Sequence, residues 1–197
     1  DDVDYLKGSR SRLNVGAEMA REDAMLISLM SSENRATHAL ARHYPGGLSA
    51  FVTAMNRKAA ELGMFNTRFE DPTGLSSNNV STAKDLARMV AAAHRYPLIR
   101  EFSTTSDAKV VVSGRLMEYR NTNQLVKVPT WDIGLSKTGF IQEAGKCLVM
   151  QARVAEKPVV IVLLDSQGKL TRIGDANRIK RWMETTQASA ARKSGSA

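Results

Sequence analysis

One cysteine in 197 residues, Cys147, excludes an intrachain disulfide, so the fold must be held by burial and hydrogen bonding alone. Its neighbours Leu148-Val149-Met150 are apolar, and no histidine is placed to activate the thiol. His38, His43 and His94 all fall on helix-like segments far upstream. A small buried hydrophobe is the economical reading of Cys147, ahead of a nucleophile. No His, Cys or acidic cluster has ligand spacing, so neither a metal nor an organic cofactor is expected. Long apolar runs are missing as well. The longest purely aliphatic stretch, Val159 to Leu164, is six residues, against roughly 20 for a membrane span. No hydrophobic signal segment opens the chain. It starts at Asp1 without an initiator Met, and so reads as a processed or truncated product.

Aromatic residues are scarce at 6%, and acidic residues are outnumbered: 20 Asp and Glu against 28 Lys and Arg, a net charge of +8. Such a surface favours polyanions, whether nucleic acid, anionic lipid or an acidic wall polymer. The charges are scattered, however, with no zinc spacing, no aromatic RNA-binding motif and no reading helix, so nucleic acid is not an expected partner. What is present is ordinary. Hydrophobic residues at 43% and charged residues at 24% suffice for one domain with a real core and exclude wholesale disorder.

Apolar periodicity divides the chain in two. Arg21 to Ser31 has an almost wholly apolar body, the mark of a helix buried on most sides. A second helix is expected from Asn34 to His43, ended by Pro45-Gly46-Gly47. A third, Leu48 to Leu62, places Leu48, Phe51, Val52, Met55, Ala59 and Leu62 on one face, and Gly63 closes it. Phe65 to Val80 is a loop rich in Asn, Asp, Pro, Gly and Ser. Ser81 reads as the N-cap of a helix over Thr82 to His94. Beyond Glu101 the period changes. Lys109 to Val112 and Arg115 to Tyr119 form a hairpin about Ser113-Gly114. Lys137 to Phe140, Cys147 to Val154 and Pro158 to Leu164 are expected strands, joined by turns at Gln142–Gly145 and Ala155–Lys157. A final amphipathic helix runs from Arg172 to Thr185 and buries Ile173, Ala176, Ile179 and Trp182-Met183. Residues 187–197 are expected to be a disordered tail. The sum is α+β: a helical region over about 17–104, then an antiparallel sheet with its covering helix over about 105–186, and a site between the two layers.

Two short strings carry chemistry. Ser32-Glu33-Asn34 lies where the first two helices meet, and Lys137-Thr138-Gly139 opens a strand. Taken alone, Ser32 and Asn34 are better read as helix caps, and Lys137-Thr138-Gly139 as a solvated turn. Together and in this order, 105 residues apart, they match the Ser-x-Asn and Lys-Thr-Gly motifs of penicillin-binding proteins and class A β-lactamases. The surrounding text agrees: Leu29-Met-Ser-Ser-Glu-Asn-Arg-Ala36, Leu62-Gly-Met-Phe-Asn-Thr-Arg-Phe69 running into Asp71-Pro-Thr-Gly-Leu75, Ser81-Thr-Ala-Lys-Asp-Leu86, Ser136-Lys-Thr-Gly-Phe140 and Ala144-Gly-Lys-Cys-Leu-Val149. The sequence resembles the low-molecular-weight penicillin-binding proteins, the D-alanyl-D-alanine carboxypeptidases and endopeptidases, and is most similar to the penicillin-binding protein 7 type.

That resemblance implies a penicillin-binding/β-lactamase-like transpeptidase fold, with an antiparallel sheet flanked by helices and an all-helical subdomain. It implies a serine D,D-peptidase working through an acyl-enzyme on peptidoglycan peptides in the bacterial periplasm, inhibited covalently by β-lactams and soluble or loosely wall-associated. Ser32 would relay a proton, Asn34 would hold the substrate carbonyl, and Lys137 and Thr138 would meet a carboxylate. Gly139 would let the substrate approach the backbone, and the Phe140 amide would serve an oxyanion hole. The nucleophile's Ser-x-x-Lys should precede Ser32 by some sixty residues, and only 31 residues precede it here. The formal matches at Ser81, Ser106 and Ser166 all come after it. Residues 1–186 are therefore expected to be the C-terminal part of a catalytic domain whose nucleophile helix and first two strands lie upstream. Alternatives are a non-catalytic peptidoglycan-binding fragment and a β-lactamase, for which Glu70 is the only loop candidate as deacylating base.

Overall fold

The computed structural model describes residues 11–194. Five helices come first: α1 (Arg21–Ser31), α2 (Asn34–Arg42), α3 (Gly47–Glu61), α4 (Ala83–Ala93) and α5 (Pro97–Thr104). A hairpin follows, β1 (Asp107–Val112) and β2 (Arg115–Arg120), then a 3-10 turn at Gln124–Lys127. A three-stranded antiparallel sheet has the order β3 (Asp132–Ile141), β4 (Gly145–Val154), β5 (Lys157–Ser166), and α6 (Thr171–Ser194) closes the chain. This is the α+β order read from the sequence.

Two apolar clusters hold the layers. Ile27 and Met30 of α1, fully buried, pack with Val110, Val112 and Tyr119 of the hairpin and with Ala36 of α2. On the large sheet, Leu148, Met150, Ala152 and Val154 of β4 point to one face and meet Ile161 and the α6 residue Ala176. This two-residue alternation is what a strand with one face on a helix requires. Opposite-parity residues face α4. There β3 carries a bulge between Ile133 and Leu135, and a Cβ on Gly134 would collide with Gln151 and His94. Glycine is demanded at that point by close approach rather than by dihedral angle.

Several boundaries differ from the sequence reading, each for a local reason. α5 was not anticipated; its eight residues are too few for a periodic stripe, although Pro97 at its start is a standard opening signal. β3 begins at Asp132, not Lys137, because the Gly134 bulge interrupts the alternation. The cap of α4 is Thr82, whose side chain accepts the Asp85 N–H, while Ser81 pairs with the Thr67 hydroxyl instead. Helix α6 continues to Ser194 in place of an irregular tail, carried by Ala, Gln and Lys with good helical propensity. Residues 195–197 lie outside the described residues. Trp182, expected in the buried stripe of α6, is 66% exposed. Met183 beside it does pack against the sheet.

Candidate active site

The helix junction is where the sequence spends conformational energy. α1 ends at Ser31, and Ser32 takes the left-handed conformation, φ 57° and ψ 42°. A residue with a Cβ meets a steric cost of about 1–2 kcal/mol there, which glycine would avoid. The reading of Ser32 and Asn34 as caps is overturned: Glu33, buried, caps α2 by accepting the Ala36 N–H at 2.9 Å. Ser32 is thus not needed to start the helix, and its hydroxyl is free for another partner.

That partner is Lys137. Its Nζ donates to Ser32 Oγ, closing a sequence gap of 105 residues, and to the Thr138 carbonyl at 3.0 Å. Among the described residues no carboxylate pairs with this ammonium. Burial, reinforced by the charge of Arg172, lowers the Lys137 pKa from 10.5 to about 8. An amine poised there can hold or release a proton near neutrality. Beside it the Thr138 hydroxyl contacts the Thr122 hydroxyl at 2.7 Å. Gly139 is exposed and pairs across the ladder with Cys147; a Cβ on it would meet only Cys147 Cβ, at an ordinary 3.7 Å. Nothing in the fold therefore asks for glycine at 139. What its small size leaves open is space over the edge strand.

The family model described as D-alanyl-D-alanine carboxypeptidase, peptidase S11, matches residues 3–168. The chain belongs to this family. It is 50% identical over 187 residues to a D-alanyl-D-alanine endopeptidase of Pseudomonas aeruginosa, covering 94% of this chain and 60% of that protein. It is likewise 50% identical over 182 residues to a D-alanyl-D-alanine endopeptidase of Escherichia coli, covering 91% and 59%. The chain thus spans about 60% of the length of these curated relatives. The crystal structure of a Streptomyces DD-transpeptidase superposes with a TM-score of 0.82 at 27% identity, over 92% of this chain and 74% of that one. A D-alanyl-D-alanine carboxypeptidase from Mycobacterium tuberculosis superposes with a TM-score of 0.70 at 27% identity, over 76% and 57%.

In this S11 chain the expected site residues do not all converge. Ser32, Lys137 and Thr138 meet as described. Asn34 is the first residue of α2 and half-buried, but no hydrogen bond joins its amide to Lys137. Phe140 turns its ring outward, 62% exposed, beneath the Lys146 ammonium at 4.7 Å. Cys147 is half-buried rather than buried, and its thiol lies 3.3 Å from the Ala144 carbonyl. The three downstream Ser-x-x-Lys matches stay apart from the pair. Ser81 bonds Thr67, Ser106 bonds Asp107, and Ser166 ends β5 opposite Lys146.

A second cation beside the pair escaped the sequence reading. Arg172, in the first turn of α6, donates from Nη1 to the carbonyls of Gly139 and Cys147, at 3.2 and 3.1 Å. Burial lowers its own pKa, against a smaller opposing effect of Cys147, and its buried Nε has no hydrogen-bond partner. A cation in a helix's first turn opposes the helix dipole. That misplacement is the signal that could have found it. Lys137 and Arg172 together make the end of β3 a cationic edge.

Proposed function

We propose that this chain is the C-terminal part of a serine-type D,D-peptidase catalytic domain, cleaving D-Ala-containing peptide bonds of peptidoglycan in the bacterial periplasm. The observation that carries the reading is the Ser32–Lys137 contact. A hydroxyl held on a left-handed backbone and an ammonium with a pKa near 8 meet where the end of α1 reaches β3. The substrate would lie extended along β3. The Thr138 hydroxyl would receive its carboxylate, Arg172 would add positive charge, and the Phe140 N–H would donate to the developing oxyanion. Asn34 would hold the substrate carbonyl once a ligand draws its amide inward. Ser32 and Lys137 would pass the proton to the departing amine. The attacking hydroxyl would come from a Ser-x-x-Lys segment outside these 197 residues, since no internal match contacts the pair. The acyl-enzyme it forms would be the species that β-lactams trap.

Endopeptidase action is favoured over carboxypeptidase action by the names of the two relatives at 50% identity. Glu70, which a β-lactamase would need, is tied to Ser76 at 2.7 Å and bonds neither Ser32 nor Lys137. Incubating the complete polypeptide with crosslinked and uncrosslinked muropeptides tests the reading. Resolution of dimers is expected. Release of D-Ala alone would make it a carboxypeptidase, and turnover of neither would leave a wall-binding role, read by sedimentation with sacculi. A fluorescent penicillin should label the complete polypeptide and not the 197-residue chain; labelling of the chain alone would remove the upstream nucleophile.

A further inference from the structure

The Ser32–Lys137 contact joins two elements that share no backbone ladder, so something else must fix their separation. We infer that Asn121-Thr122-Asn123, the segment between β2 and the 3-10 turn, is the positioning element that sets the Ser32–Lys137 geometry, with Thr122 as its working residue. The inference rests on the proposed role of that pair.

Thr122 touches both sides. Its N–H donates to the Met30 carbonyl at 3.1 Å, and its hydroxyl lies 3.5 Å from the same oxygen. Met30 is two residues before Ser32, and its carbonyl is among those that a helix end leaves unpaired. The Thr122 hydroxyl then meets Thr138 Oγ1 at 2.7 Å, one residue past Lys137. Asn123 secures the other flank. Its Nδ2 donates to Ser136 Oγ at 2.8 Å, one residue before Lys137, and its Oδ1 accepts the Leu125 N–H. Asn123 and Ser136 are 1% and 2% exposed, so this bond is not exchanged with water and holds a fixed length. Asn121 anchors the segment from behind, donating to the Ser103 and Thr105 carbonyls at 3.0 and 2.8 Å and accepting the Asn123 N–H.

The strip therefore grips β3 on both sides of Lys137 and grips α1 two residues from Ser32. Core packing alone would not do this, because Ser32 and Lys137 are only half-buried. Loosening the grip admits water to the ammonium and relieves its desolvation, the main cause of its lowered pKa. The charge that faces it from the neighbouring helix, Arg172, is unaltered by such a change.

The test is the titration of Lys137 in the 197-residue chain, read by the NMR shift of the reductively methylated side chain and assigned with Lys137→Arg. Peptidase activity is not needed, so failure of the functional reading and failure of this one are separable. Thr122→Val removes the hydroxyl and keeps the shape, the backbone bond and an exposed position. It is expected to raise the Lys137 pKa from about 8 by roughly one unit, while Thr122→Ser restores the wild-type curve. In the complete polypeptide the alkaline shift should reappear in the pH profile of penicillin acylation. A titration unmoved by Thr122→Val, with only the melting temperature lowered, would reduce Thr122 to an ordinary structural tie and overturn the inference. So would a Ser variant that behaves like Val.

Discussion

Two polar clusters in this molecule are built on opposite terms. Around Asp71 every lone pair is used. One carboxylate oxygen accepts the Thr73 and Gly74 N–H groups and the Thr73 hydroxyl. The other accepts the Ser76 N–H at 2.7 Å and the Asn79 amide at 2.9 Å. Burial alone would raise this carboxyl, but bonds from Thr73, Ser76 and Gly74 outweigh it and hold the pKa below 3.8. Around Lys137 the reverse holds: an ammonium with three donors finds one hydroxyl and one carbonyl and, among the described residues, no acid. The first cluster is a closed account of hydrogen bonds that shapes a loop. The second is left incomplete, and a half-buried cation short of acceptors is what a carboxylate-bearing ligand would complete.

The sharpest way to break this contrast is Lys137→Met. If the cation is there for a ligand, penicillin acylation of the complete polypeptide should fall by about 10³-fold, while thermal unfolding of the chain moves upward or stays put. A large loss of stability would mean that Lys137 is structural after all. The matched change, Asp71→Ala, should do the opposite. Stripping a carboxylate that satisfies five donors should cost about 3 kcal/mol in urea unfolding, and a loss under ~1 kcal/mol would deny the loop its structural role.

The two clusters should also respond to pH in separate windows, one alkaline and one acidic. Lys137 has a folded pKa of about 8 against 10.5 unfolded. Between those values the unfolded chain holds the proton and the folded chain does not, so stability rises with pH across that window, by up to about 3 kcal/mol. Below pH 8 the cost is present in full. Subtracting the profile of Lys137→Met isolates the effect, and a flat difference would reject the lowered pKa. For Asp71 the slope has the same sign but the window is acidic: its contribution is complete above 3.8 and fades as pH falls through its depressed folded value. Gly139→Ala is a smaller probe of the same contrast. With only Cys147 Cβ nearby at 3.7 Å, stability should change by less than about 1 kcal/mol, while acylation falls on the order of tenfold. Equal losses in both would mean that the fold, not the ligand, requires glycine.

The layered fold was legible because α1, the hairpin and the sheet strands each carry strong apolar periodicity, and because Ser113-Gly114 can adopt the two positive φ angles, 46° and 77°, of a tight hairpin. The equivalent turn at Ala155-Glu156 has no such residues and was legible only from its flanks. Ser32 and Lys137 could be nominated from motif order, yet their contact depends on how two layers dock, which no local pattern encodes. Arg172 and Thr122 escaped for the same reason. Each is an unexceptional polar residue until tertiary structure sets it against β3. The buried Glu33 cap escaped differently, because Ser32 and Asn34 on either side are both better cap formers by type.

The smallest expected effect concerns a pair of neighbours the sequence could not tell apart. Ser81 and Thr82 are both competent caps for α4, and the structure assigns that work to Thr82, whose hydroxyl accepts the Asp85 N–H at 3.2 Å. Ser81 instead belongs to a chain of hydroxyls. It contacts Thr67 Oγ1, which in turn donates to Asp85 Oδ2 at 3.1 Å. Thr82→Ala leaves a helix N–H without its partner and should cost about 1 kcal/mol. Ser81→Ala leaves Thr67 still bonded to the buried Asp85, whose carboxylate also keeps the Asn66 N–H and Arg88, so only a few tenths of a kcal/mol should be lost. Urea midpoints of the two variants decide it. A larger loss from Ser81→Ala would show that the hydroxyl chain, rather than the cap, fixes the start of α4 and with it the loop that carries Asp71.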